Sequence, residues 1–214
     1  MLKYCPPDGL LDILFQDHAL LFVNKPAGVL SVPGRGAHLA DCLLSRVRAA
    51  FPQALLVHRL DMDTSGVMVF AMSPQAQHHL GHQFEARKVK KAYAARVWGE
   101  VTEPKGQINL PLIVDRPNRP LQKVDWDTGK PARTEWYRMR IEDATTRVRL
   151  MPRTGRSHQL RVHMREIGHP ILGDTLYANG SAHSYDRLML HAEALRVNHP
   201  DGGRDITVKA RVPF

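Results

Sequence analysis

Apolar residues along this chain recur with two periods, and the changeovers between them mark out the elements. Residues 13–15 and 20–24 are short apolar runs separated by Gln16-Asp17-His18, which predicts two strands and a turn. In 39–51, Leu39, Leu43, Val47 and Ala50 fall on one face at helical spacing, and Pro52 stops the helix. Leu56 and Val57 lead into the polar string HRLDMDTSG at 58–66, and the apolar run 67–71 follows, a strand–loop–strand pattern. Ser73 before Pro74 is a helix start, with Ala76, Leu80 and Phe84 as its core face.

Residues 92–98 alternate, with Tyr93, Ala95 and Val97 on one side, and 107–114 reads as strand and turn. The stretch 115–130 is polar and rich in Pro, Asn and Gly, which predicts a long loop carrying Arg116, Arg119, Lys123 and Lys130. Tyr137, Met139 and Ile141 alternate with Trp136, Arg138 and Arg140 as a half-buried strand, and 147–151 alternates likewise. A helix over 157–167 buries Leu160, Met164 and Ile167, sets Arg161 and Arg165 one turn apart, and ends at Gly168 and Pro170. Strands at 188–191, 195–197 and 206–210 close the chain. The mixture predicts one α/β domain over 1–214 without internal repeat or linker.

Composition narrows the function classes. At 214 residues the chain can bury a full core. No apolar run approaches the roughly 20 residues of a membrane span, and MLKYCPPDG lacks the pattern of a signal peptide. Cys5 and Cys42 give neither a disulfide framework nor a cysteine zinc site, so the expected compartment is the reducing cytoplasm. The net charge of +9 points to a polyanionic partner. Its clustering decides for nucleic acid: Arg87, Lys88, Lys90 and Lys91 gather before the Tyr93 strand, and Arg153, Arg156, Arg161 and Arg165 around the last helix. His78 and His82 have metal-ligand spacing on a helix, but no carboxylate or cysteine motif accompanies them, so they read as surface residues and no metal is expected.

Asp61 is the residue that the pattern holds out as chemical. It sits on a loop between two core strands, positioned by rigid elements yet open to a substrate. The plainer reading is a capped turn in which Asp61 and Thr64 bond to local amides. Other strings decide against that reading. The 58–66 string resembles the HRLDxxTSG signature of the RluA-type pseudouridine synthases, whose Asp is catalytic. Residues 24–34 (NKPAGVLSVPG), 91–99 (KAYAARVWG), 154–163 (TGRSHQLRVH) with 168–177 (GHPILGDTLY), and 187–195 (RLMLHAEAL) resemble the same family's remaining motifs, in the family's order.

The resemblance implies a fold built mainly on antiparallel mixed sheet with flanking helices and loops; the N-terminal S4-type RNA-binding module of many relatives is not expected, since there is no room for it before Ile13. It implies isomerisation of uridines in structured RNA: the N1–C1′ bond breaks, the base turns, and C5 rejoins the sugar. Nothing is oxidised and no group is lost, so no cofactor is expected. Asp61 would act as nucleophile or as base towards the ribose, offsetting charge that develops at the sugar. Arg161 would hold that carboxylate ionised, with Arg156 able to exchange roles with it. Tyr93 would stack on the uracil and help remove the C5 proton, and Leu190 would belong to an apolar wall excluding water. Arg59 would fill the gap left by the flipped base, and His58 and Thr64 complete the substrate-binding string. Lys88 and Lys90 are assigned to RNA phosphates.

The PNRP stretch at 117–120 and GKPA at 129–132 bring the chain nearest to family members that lack the extra module and modify both a 23S rRNA loop and the tRNA anticodon loop. The partners implied are 23S rRNA and tRNA, with no obligate protein partner and a monomeric state. Two other readings compete. A glycosidase could use Asp61 and Asp63, but carboxylates two apart on an extended segment are too close to flank a glycosidic bond. A non-catalytic RNA-binding module would leave the loop carboxylate and the arginine helix unexplained.

Overall fold

The computed structural model describes residues 4–214, which form two compact units. The first comprises the chain up to Lys91 together with His191–Pro213, and the second is Ala92–Leu190 with Phe214. The chain changes unit within two of its strands.

In the first unit, strands Asp12–Gln16 (β1) and Leu20–Lys25 (β2) form an antiparallel hairpin. The short helix Leu43–Ala50 (α1) starts later than the periodicity predicts, because Cys42 caps it. The Cys42 thiol accepts from Ser45 N–H, and the Ser45 hydroxyl accepts from Cys42 N–H, a reciprocal cap with sulfur in the usual place of oxygen. Strand Leu55–Leu56 (β3) precedes the polar string and Ser65–Ala71 (β4) follows it. Every β4 residue is buried, which explains its unbroken apolar run. β2 lies antiparallel along one edge of β4, from Lys25 opposite Gly66 to Leu20 opposite Ala71. The other edge takes β3 at its end and, at its start, the parallel strand Leu190–Asn198 (β11), with His191 opposite Ser65. The helix Pro74–Glu85 (α2) is capped by Ser73 and buries Ala76 and Leu80, as the spacing predicts. Strand Asp205–Lys209 (β12) pairs with β11, and the whole closes on a core of Leu20, Phe22, Val67, Val69, Leu80, Leu195 and Val197.

The second unit carries four antiparallel strands in the order Lys90–Trp98 (β5), Thr145–Pro152 (β10), Arg133–Glu142 (β9) and Lys105–Asn109 (β6). Residues expected to be loop at 122–124 are instead a strand, Gln122–Val124 (β8), paired with Leu112–Val114 (β7). β8 has only three residues, two of them polar, so it shows no alternation and was hidden in composition. On β9 the inward residues are Thr134 and Trp136, while Tyr137, Met139 and Ile141 are exposed. The last helix, Gln159–Glu166 (α3), begins two residues after the expected Ser157, because His158 takes the left-handed conformation (φ 52°) and breaks the first turn. Ala95, Val97, Val148, Leu150, Leu160, Met164 and Leu190 make this unit's core.

Candidate active site

The polar string of the first unit is held by main-chain bonds on both sides of Asp61. Ser31, from the 24–34 loop, donates its hydroxyl to the Leu60 carbonyl (2.7 Å) and accepts the Leu60 N–H (3.1 Å). On the other side, the wholly buried Lys25 donates its ammonium to the carbonyls of Met62 (2.7 Å), Val29 (2.6 Å) and Pro26 (2.9 Å). Gly28 N–H adds a bond to the same Met62 carbonyl at 3.0 Å. A buried ammonium is tolerable only with its protons engaged, and three carbonyls meet that demand. Asp61 thus sits half-buried between two clamped peptides, its loop closed by Thr64 N–H to the Asp61 carbonyl at 3.2 Å.

The residues that end the string have structural reasons. Thr64 is buried at 3% exposure, which places it in the scaffold of the loop. Ser65 Oγ and His191 Nδ1 are 2.8 Å apart, tying β4 to β11. Gly66 has φ 116°, and a Cβ there would come within 2.3 Å of the Ala192 carbonyl oxygen, so only glycine allows the strands this close. His58 faces inward. Its Nε2 accepts the Val69 N–H at 3.1 Å, and its ring stacks on Phe84 at 4.8 Å. Burial, and secondly the Lys91 charge, push its pKa down to about 3, so it is a neutral acceptor at physiological pH. Arg59, by contrast, is exposed.

Lys88, on the connection between α2 and β5, and Lys90, the first residue of β5, are both exposed, with the buried Val89 between them. Arg87 takes φ 57° at the end of α2, where glycine is usual, and this turns the basic segment out of the helix. Lys91 differs from its neighbours. Burial pushes its pKa down to about 8.

Tyr93, Arg156, Arg161 and Leu190 belong to the second unit. Tyr93 is half-buried and packs on the cluster that contains Leu190, itself 3% exposed. Arg161 is buried on α3 and makes a two-pronged pair with Asp174, whose side chain is fully enclosed: Nε to Oδ2 at 2.8 Å and Nη2 to Oδ1 at 2.7 Å. Asp174 also accepts the N–H groups of Leu176 and Tyr177, at 3.0 and 3.1 Å. The Tyr177 ring lies under both Arg161 and Arg165, 5.2 and 5.3 Å from their guanidinium carbons. Its hydroxyl accepts the Gln122 N–H at 2.8 Å and meets His158 Nδ1 at 2.6 Å, which joins the β7–β8 hairpin to the start of α3. Arg156 is more superficial, its Nε donating to the Pro131 carbonyl at 3.2 Å. Of the two arginines, Arg161 is the one whose guanidinium is fixed.

Lys25, Asp174 and Tyr177 were not singled out from sequence. All three stood inside strings that resemble family motifs, and only burial shows why those positions carry a charge or a hydroxyl.

His78 and His82 are exposed, as expected of surface residues. No helix among the described residues is long and apolar enough to cross a membrane.

Residues 19–166 match the family described as RNA pseudouridylate synthase. The chain is 51% identical to the dual-specificity RNA pseudouridine synthase RluA of Escherichia coli K12 over 217 aligned positions, covering 100% of this chain and 99% of that protein. The protein of that name from Yersinia pestis is 51% identical over 204 positions, covering 94% of this chain and 99% of the relative. Among solved structures, human RNA pseudouridylate synthase domain containing 1 superposes with a TM-score of 0.81 at 29% identity, covering 98% of this chain and 87% of that one.

Proposed function

The chain belongs to the RNA pseudouridylate synthase family, and from that premise we propose that it modifies uridines in both 23S rRNA and tRNA, with Asp61 as its catalytic carboxylate. The enzyme is an isomerase acting on RNA. The observation that carries the assignment of Asp61 is the double clamp on its loop. Lys25 and Ser31 fix the peptides on either side by main-chain bonds, which sets the position of the half-buried Asp61 within the loop. A group that must meet C1′ of a ribose gains from such preorganisation, because the geometry is set before substrate arrives.

The remaining roles follow from chemistry. Arg161, locked by Asp174, supplies a fixed guanidinium, the cationic group that the family resemblance assigns to the reaction. Tyr93 stacks on the uracil, and Leu190 contributes apolar surface that keeps water from the detached base. The exposed Arg59 takes the place of the flipped uridine, for which a planar guanidinium suits both stacking and phosphate contact. Lys88 and Lys90 bind phosphates. His58 and Thr64 shape the substrate loop from beneath rather than by direct contact. The protein acts as a monomer in the cytoplasm, where both RNAs are found.

Full-length identity to relatives named for dual specificity supports two RNA classes over one. The test is to map pseudouridines in rRNA and tRNA from cells with and without this gene, and to repeat the conversion with purified protein on both RNAs. Loss of sites from both classes is expected. Loss from one class alone would overturn dual specificity and leave the isomerase assignment intact.

A further inference from the structure

At the end of the first unit remote from Asp61, two turns bring together four side chains that the isomerase chemistry does not use. We propose that Asp17, His18, His199 and Asp201 form a site for a divalent transition-metal ion, Zn²⁺ by its donor set, that staples the β1–β2 turn to the β11–β12 turn. Donor atoms of His18, His199 and Asp201 lie within 4.8 Å of one another, the one grouping of three such side chains found among the described residues. Asp17 Oδ2 stands 3.0 Å from His199 Nε2. The inference does not rest on the RNA reading, since it uses none of that site's residues.

The shorter distances suit a small cation, and the wider ones, up to 4.8 Å among His18, His199 and Asp201, need side-chain rotation to close on it. With zinc–nitrogen and zinc–oxygen bonds of about 2.0–2.1 Å, two donors on a tetrahedral ion stand about 3.4 Å apart. The Asp17–His199 separation of 3.0 Å is already within a few tenths of that edge. Two imidazoles bound through Nε2 to one zinc would have ring centres about 5.2 Å apart. The His18 and His199 rings are 5.7 Å apart. His18 Nε2 already meets Asp201 Oδ2 directly, and both side chains are exposed, at 72% and 58%, so a turn of their rotamers completes the shell.

A second observation separates this cluster from an ordinary pair of ion pairs. Metal-bound histidines donate their other ring N–H to a carbonyl, and ligating carboxylates are held by further hydrogen bonds. Both supports are present. His199 is 3% exposed, with its Nδ1 3.0 Å from the Asp201 carbonyl oxygen, which would hold the tautomer that leaves Nε2 free for a metal. The same Nδ1 also lies 3.0 Å from Asp201 N–H, so without metal the other tautomer serves, with Nε2 donating to Asp17. Asp17 Oδ1 accepts the N–H groups of Ala19 and Leu20 at 2.9 and 2.8 Å, which aims its second oxygen at His199. The register of β2 on β4 puts this turn at the opposite end from Lys25 and Gly66. Along a six-residue strand that is roughly 20 Å, too far for the metal to take part in isomerisation.

Full-length protein freed of metal with a chelator is titrated with Co²⁺, read by its visible absorption, and with Zn²⁺ by calorimetry. One equivalent should bind, with the intense absorption of tetrahedral cobalt, and the metal should raise the thermal unfolding midpoint. His18→Ala and Asp201→Asn change exposed residues that the fold does not need, and each should weaken binding tenfold or more and abolish the thermal shift. His78→Ala with His82→Ala should leave binding unchanged. Binding that survives His18→Ala and Asp201→Asn, binding lost with His78 and His82, or no tetrahedral equivalent at all would each overturn the site.

Discussion

Replacing Asp174 with asparagine tests whether Arg161 is held as the structure shows. Both partners are enclosed, Asp174 at 0% and Arg161 at 3% exposure, and the carboxylate takes two guanidinium N–H groups and two backbone N–H groups. Asparagine removes the negative charge and offers one acceptor with a second donor. That amide N–H₂ must face either the guanidinium or the Leu176–Tyr177 amides, all of them donors. Breaking one partner of a buried pair costs about 3–5 kcal/mol, because the remaining charge is left uncompensated. Against a total stability of about 5–15 kcal/mol, Asp174→Asn should unfold at much lower urea concentration. Arg161→Met combined with Asp174→Leu removes both buried charges and should recover part of the loss, the Leu176 and Tyr177 amides still lacking their acceptor. Urea melts followed by tryptophan fluorescence give the three stabilities. The double variant should be folded and nearly inactive, which separates the structural part of the pair from the catalytic role proposed for Arg161. An Asp174→Asn variant within about 1 kcal/mol of the parent, outside the range for a buried pair, would refute the enclosed geometry on which this reasoning stands.

Four other outcomes are expected. Asp61→Asn should keep the fold and RNA affinity and lose isomerisation, whereas Asp63→Asn should be far milder; a tritium-release assay on C5-labelled RNA compares them, and equal losses would mean the wrong carboxylate. Lys88→Ala with Lys90→Ala should flatten the dependence of binding on salt, which runs at roughly −0.7 per phosphate on single strands, with little change in single-turnover rate at saturating RNA. The folded pKa of His58 is depressed to about 3, below its unfolded value, so the unfolded chain binds the extra proton between about pH 6.5 and 3 and stability falls as pH falls through that window. The slope is at most about 1.4 kcal/mol per pH unit from this group, and His58→Gln, which keeps an acceptor for Val69, should make urea midpoints measurably less acid-sensitive there. Arg59→Ala should slow conversion of a stacked uridine more than of a bulged one; an equal loss on both in single-turnover assays would remove the flipping role.

Most strands and helices were legible because their periods were sustained. The β2 and β4 runs, the α2 face of Ala76 and Leu80, and the alternation of β5 all lie where the pattern places them. What was lost follows from the size of the feature. The β7–β8 hairpin is held by three residue pairs and by Leu121 and Val124 packing near Tyr177, contacts with no local period. On β9 the alternation is plain but its polarity misleads: exposed Tyr137, Met139 and Ile141 are apolar, while buried Thr134 is polar because it bonds to Gln159 and His163. A period tells which residues share a face. It does not tell which face is inside when polar groups there satisfy one another.

The candidate site shows the same limit from the other direction. Asp61, Arg161 and Tyr93 could be named because they carry chemistry that a reaction needs, and the strings around them resembled known motifs. Lys25 and Asp174 could not, because their work is done on other parts of the protein. Lys25 spends its charge on three carbonyls, one of them the Met62 carbonyl next to Asp61, and Asp174 spends its charge on Arg161. Sequence offers no sign of such service, since a lysine next to a proline reads first as surface. Each of these buried charges would be costly if left alone, so each persists only where the fold meets it with several partners. A loop fixed through its own carbonyls has a further consequence: side chains on it can change without breaking those bonds. Met62 is held through its carbonyl, and Leu60, Thr64, Ser65 and Gly66 are each fixed by a named contact.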